Sequence, residues 1–200
     1  MLNSALGFRV HSGWAALVAV AEPRDAPRVI DRRRLELIDP KTQGAQQPYH
    51  TAKEMKLADA EAFLKRCSTA TLATATASLQ DVVSALAGKG YAVAGACLLL
   101  GSGRPTGDLA VTLRSHAMIH TAEGQFFRNA LQNACQSCGV PLLGVKEKEL
   151  VSRAADDIRI SPAELHRHIS EAGKIIGPPW RQDEKLSTLA GWLALANSAA

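Results

Sequence analysis

The sequence predicts an α/β fold in which a mixed five-stranded sheet, three antiparallel strands followed by parallel ones, is flanked by helices. The first forty residues hold three short alternating or apolar runs separated by turn residues. Apolar stripes with helical spacing fill about residues 53–87 and 109–139. Each is followed by a short apolar run, 91–100 and 140–145, of the kind that forms strands buried on both faces.

Leu6 to His11 alternates, Ser12-Gly13 punctuates, and Ala15 to Val20 is almost continuously apolar, so the first two strands form a tight hairpin. After the turn Glu22 to Pro27, Val29 to Ile38 sets Arg34 and Glu36 against Leu35 and Leu37, one face for the core and one for water. Asp39 to Tyr49 is a loop with Pro40, Gly44 and Pro48. The following stripe carries Leu57 and Leu64, then Leu72, Leu79 and Leu86, and stops at Gly88-Lys89-Gly90. Unbroken, that helix is ~50 Å long. A break is expected near Ser68-Thr69, where a Thr-rich stretch of low helix propensity begins.

Tyr91 to Leu100 reads as a central strand parallel to the first, and Gly101 to Asp108 as a loop. Leu109 to Gly139 is mostly helical, and Val140 to Val145 is the last strand. Ser161-Pro162-Ala163-Glu164 places a cap and an N1 proline at a helix start, Pro178-Pro179 breaks the chain, and Asp183 to Ala196 forms a terminal helix. The expected organisation is one domain over 1–200 with a helical C-terminal extension from about 161.

With 200 residues, 46% of them hydrophobic, the chain is long enough for one sizeable core. A net charge of +4, from 23 basic and 19 acidic residues, permits a nucleic-acid partner without announcing one. No run approaches the ~18 apolar residues of a membrane span. Met1-Leu2-Asn3-Ser4 does not open a secretory signal, so a cytoplasmic location is expected and no membrane partner. Four cysteines are too few for a disulfide scaffold.

Several local patterns carry chemistry. Cys135 and Cys138 have the spacing of a dithiol, but they stand near a helix end and lack the second pair that zinc needs, so packed thiols are the better reading. His116, His120 and Glu123 share one helical face and are the weak candidates for a metal triad, although a polar face is favoured and no metal is called. Ser102 and Arg104, in a glycine loop beyond the central strand, are placed to meet an anion. Arg24, Arg28, Arg32, Arg33 and Arg34 suit a charged strand edge better than a base-stacking surface, for want of aromatics among them.

The order of three meandering strands, helix, strand, helix, strand and terminal helix resembles the ribonuclease H-like fold. Gly7-Phe8-Arg9-Val10-His11-Ser12-Gly13 resembles the opening shared by RuvC-type Holliday-junction resolvases and actin-like ATPases. The tail from Asp183-Glu184 into an Ala/Leu-rich helix is similar to the resolvase end. An actin-like ATPase needs a second lobe, for which this chain has no room. The resolvase resemblance implies carboxylates on the first strand, the fourth strand and the last helix, holding two Mg²⁺ or Mn²⁺ ions ~3.5–4 Å apart.

Here the first-strand position is Arg9, which cannot ligate a cation, and Tyr91 to Gly103 contains no carboxylate. Asp183 and Glu184 are the catalytic candidates left, too few for a two-metal centre. The expectation is a non-catalytic ribonuclease H-like binding or assembly module without a cofactor, with a rearranged Mg²⁺- or Mn²⁺-dependent nuclease as the alternative. Arg9, His11, Ser12, Ser102 and Arg104 are the expected anion or ligand contacts. Arg9 should find Asp183 or Glu184, nucleic-acid binding should be weak, and Trp180 with Trp192 suggests a homodimer.

Overall fold

The computed structural model describes residues 1–103 and 107–198. Five strands, β1 (Leu2–His11), β2 (Trp14–Ala21), β3 (Arg28–Glu36), β4 (Tyr91–Leu100) and β5 (Leu142–Lys146), form one sheet in the order β3-β2-β1-β4-β5. β1, β2 and β3 pair antiparallel, whereas β4 and β5 run parallel to β1. The sheet is therefore the mixed one read from the sequence. β1 starts earlier than its alternating segment, because Leu2 to Ser4 pair with Tyr91 to Val93.

Two helical layers cover the sheet. Leu6 and Phe8 of β1, Leu17 of β2 and Leu98 of β4 face α2 (Leu57–Gly88) and α4 (His116–Ser137), packing on Leu79, Leu86, Phe127 and Leu131. The opposite parity, Ala5, Val18, Val20, Cys97 and Leu99, faces α5 (Leu150–Ile158), α6 (Pro162–Ile176) and α7 (Gln182–Asn197). The short helices α1 (Pro48–Ala52) and α3 (Leu109–Leu113) close the end of the α2/α4 layer, where Ala52 packs with Ala60 and Leu64.

The structure corrects four expectations. The break near Ser68-Thr69 is absent, and α2 runs unbroken for 32 residues. Its buried stripe of Ala60, Leu64, Cys67, Thr71, Ala75, Leu79, Val82 and Leu86 passes straight through the Ala/Thr segment, so tertiary packing overrides weak propensity. The stripe does not start near Lys53; Pro48 opens α1 inside the expected loop, and α2 begins only at Leu57.

The C-terminal helices do not stand apart as an extension, because α7 lies directly on β1 and β2. Nor do the tryptophans form an outer face. Trp192 is 1% exposed and donates its indole N–H to the Arg24 carbonyl at 2.6 Å. Trp180 packs over Gly173, where an added Cβ would stand 2.3 Å from the ring. Among the described residues no helix is long and apolar enough to cross a membrane.

Candidate functional site

The site is built by two periodicities that meet. Along β1, Gly7, Arg9 and His11 share the face turned toward α7, two residues apart; along α7, Asp183, Ser187 and Gly191 recur every four and face the strand. Gly7 lets the backbones touch, since a Cβ there would lie 1.8 Å from the Ser187 carbonyl oxygen and 2.5 Å from the Gly191 nitrogen. Ser187 Oγ fixes the helix further by donating to the Ala16 carbonyl at 3.2 Å. One helical turn before Ser187, this approach brings Asp183 beside Arg9 and His11.

The Arg9 guanidinium is gripped from two sides. Its Nη1 donates to Asp183 Oδ1, while Nε and Nη2 make a bidentate pair with Glu147 at 3.0 and 3.2 Å. His11 Nε2 stands 3.0 Å from the same Asp183 oxygen, and its ring stacks on Trp14 at 4.3 Å between centroids. The hydrogen bond to Glu147 pushes the pKa of Arg9 above its ordinary value; burial opposes this, and Asp183 adds to it. Burial pushes the Asp183 carboxyl up, but hydrogen bonds and charge from Arg9 and His11 outweigh it and hold the group below the usual carboxylate value.

Arg9 lines a crevice of about 530 Å³ at the carboxyl ends of β1, β4 and β5. Leu100, Gly101 and Ser102 form one wall, Lys146 to Lys148 another, and Arg128 of α4 closes it. Arg128 lies against Gly101 and Gly124, where an added Cβ would come within 3.2 and 3.0 Å of its guanidinium. Its Nε is buried without a hydrogen-bond partner, and burial lowers its pKa. Lys148 joins no ion pair among the described residues. A half-buried guanidinium that pairs with no carboxylate among the described residues, in one crevice with the Lys148 ammonium, favours an anion.

Of the expected site residues, Arg9 and Ser102 line the crevice, and His11 adjoins it through Asp183. Ser12 does not; it lines a separate hollow with Gly13, Arg34 and Glu36. Glu184 does not face Arg9, because its carboxylate accepts the Arg181 N–H at 2.7 Å and caps α7. Arg104 lies outside the described residues. Glu147 and Arg128 were not singled out by sequence.

Three of the four arginines on β3 are engaged within the chain. Arg32 donates to the carbonyls of Gly177, Pro178 and Pro179, Arg33 pairs with Asp31, and Arg34 pairs with Glu36 over the Trp14 ring. Cys135 is buried and Cys138 half-buried, both as free thiols; burial pushes Cys135 up to about 12, with Cys138 adding to the rise.

The face of His116 and His120 divides. Their Nε2 atoms stand 3.0 Å apart at the exposed start of α4, whose cap is Ser115. Glu123, 3% exposed, turns inward to His50 of α1: it accepts the His50 backbone N–H at 3.1 Å and lies 2.8 Å from the ring Nδ1. Each of His50, His116 and His120 offers a nitrogen within 4.8 Å of the other two. Glu123 is thus not a member of the triad read from the sequence, and His50 takes its place.

No protein-family profile and no curated protein sequence matches the chain. In three dimensions it is similar to the RuvC structure of Thermus thermophilus, with a TM-score of 0.52 at 11% identity, over 95% of this chain and 92% of that one. It is likewise similar to T. thermophilus RuvC in complex with Holliday junction substrate, with a TM-score of 0.51 at 10% identity, over 95% of this chain and 90% of that one. The fold is the RuvC-type ribonuclease H-like fold, reached from either direction, by strand order or by superposition.

Proposed function

From this RuvC-type fold, we propose that the chain is a non-cleaving module that takes phosphate groups, foremost those of nucleic acid, in the crevice at the carboxyl ends of β1, β4 and β5. The observation that carries the reading is the Arg9 guanidinium between Asp183 and Glu147. The resemblance to RuvC-type resolvases puts metal-holding carboxylates on the first strand and the last helix, and here a permanent organic cation neutralises the last-helix acid instead. A divalent ion entering between these groups has to displace a hydrogen-bonded guanidinium whose charge repels it. Arg128 and Lys148 remain to meet a phosphate.

Fluorescence anisotropy with single-stranded, duplex and four-way-junction oligonucleotides tests this reading. Binding should be weak and should fall as salt rises from ~50 to ~200 mM, because each neutralised phosphate releases counterions. The double substitution Arg128→Ala and Lys148→Ala should weaken all three ligands alike and reduce the salt slope by about 1–2. Salt-independent binding, or binding indifferent to those substitutions, would remove the crevice as the phosphate site.

A second reading, a nuclease with a rearranged metal site, is favoured by one fact: Asp183 and Glu147 do converge on a single point. It requires Mg²⁺- or Mn²⁺-dependent cleavage that Asp183→Asn abolishes.

A further inference from the structure

We propose that His50, His116 and His120 form a binding site for a divalent transition ion of the zinc class, separate from the crevice. Two imidazoles come from one face of α4 and the third from α1, and all three rings meet edge to face, with centroids 4.4 to 5.5 Å apart. Two nitrogens bound to one zinc ion at ~2.0–2.1 Å and a tetrahedral angle lie about 3.3 Å apart. The Nε2 atoms of His116 and His120 are 3.0 Å apart, and the third nitrogen lies within 4.8 Å. Small side-chain rotations suffice to close the set around an ion.

Glu123 supplies the second observation. It is a buried carboxylate whose two oxygens both address His50, one at the backbone N–H and one at the ring. The ring Nδ1 is itself buried and, although 2.8 Å from the acid, is not aligned with it for a hydrogen bond. A carboxylate that accepts the ring N–H of a histidine orients a metal-bound imidazole and raises its basicity; Glu123 stands at that distance, and a turn of the His50 ring on ion binding would complete the bond. The acid also offsets ion charge that three neutral ligands leave uncompensated. His116 and His120 are exposed, so a fourth position opens to solvent, as in three-ligand zinc sites that keep a water. An all-imidazole set suits zinc, with copper and nickel bound by the same donors, and discriminates against Mg²⁺.

The test is titration of the full chain, carrying no histidine tag, with Zn²⁺ against a chromophoric chelator, and with Co²⁺ followed by its visible absorption. One zinc per chain is expected, with a tetrahedral Co²⁺ spectrum. His120→Ala and His50→Ala should each lower zinc affinity at least ~100-fold, and Glu123→Gln by about 10- to 100-fold. Because His116 is exposed, His116→Ala tests the set without disturbing the core; circular dichroism checks that each variant folds. Cys135→Ser with Cys138→Ser, and Arg128→Ala, should leave zinc binding unchanged. Failure to bind one equivalent, binding that survives His116→Ala with His120→Ala, or binding lost with the cysteines would overturn the assignment.

Discussion

At the scale of single residues, Arg9 and Asp183 decide what the crevice can hold. Each is 25% exposed in its side chain, so the pair is weaker than a fully desolvated one. Arg9→Ala leaves Asp183 and Glu147 facing each other and should cost about 1–3 kcal/mol, measured by denaturant melts. Asp183 adds a pH signature. Its pKa is depressed in the folded chain, so its stabilising contribution is present at neutral pH and is lost as pH falls below about 4 through the folded value. The stability gap between wild type and Asp183→Asn should therefore be widest near pH 7 and close in the acid range; a gap constant with pH would remove the ion pair as its source.

Thiols give a second prediction at this scale. Burial pushes Cys97 and Cys135 up to about 12, and Cys67 is also raised by burial. At pH 8 the native chain should yield at most the half-buried Cys138 to a thiol reagent. Rapid modification of two cysteines would restore the dithiol reading of Cys135 and Cys138.

At the scale of elements, the contact of β1 with α7 sets the site. Gly7→Ala pushes a methyl group into helix backbone, which cannot rotate away as a side chain can, and should destabilise by about 3 kcal/mol or more. Because the same shift carries Asp183 away from Arg9, residual folded protein should also lose the acid-range signature described above. This contact illustrates what was legible in the chain. The strand parity and the pairing of Arg9 with an acid of the last helix could be read from alternation, helical spacing and the resemblance. Which acid pairs could not, because Asp183 and Glu184 are neighbours and only the turn of α7 sends one to the sheet and the other to the Arg181 cap.

At the scale of the molecule, the mixed sheet, three antiparallel strands then parallel ones, and its flanking by helices were legible from periodicity within short segments and from the resemblance, whereas the packing of the C-terminal helices as the second layer was not. Convergence of distant segments was not. Glu147 sits in the alternating run Lys146 to Glu149, where nothing local marks the residue that reaches Arg9. Arg128 lies among the apolar positions of α4, where a lone cation on a core stripe was the available signal. His50 falls just past the stretch Asp39 to Tyr49 read as loop, and only the packing of α1 on α4 brings it to His116 and His120. The break expected in α2 is absent for the opposite reason: weak local propensity gives way to a continuous buried stripe.

The most direct test of the non-cleaving module is incubation of the purified chain with a labelled four-way junction, and with single-stranded and RNA–DNA hybrid controls, in Mg²⁺ or Mn²⁺. The expected result is a salt-sensitive complex that leaves every substrate intact, in wild type and in Asp183→Asn alike. Divalent-ion-dependent cleavage by wild type that Asp183→Asn abolishes would contradict it, and would mean that Arg9 yields its carboxylates to metal.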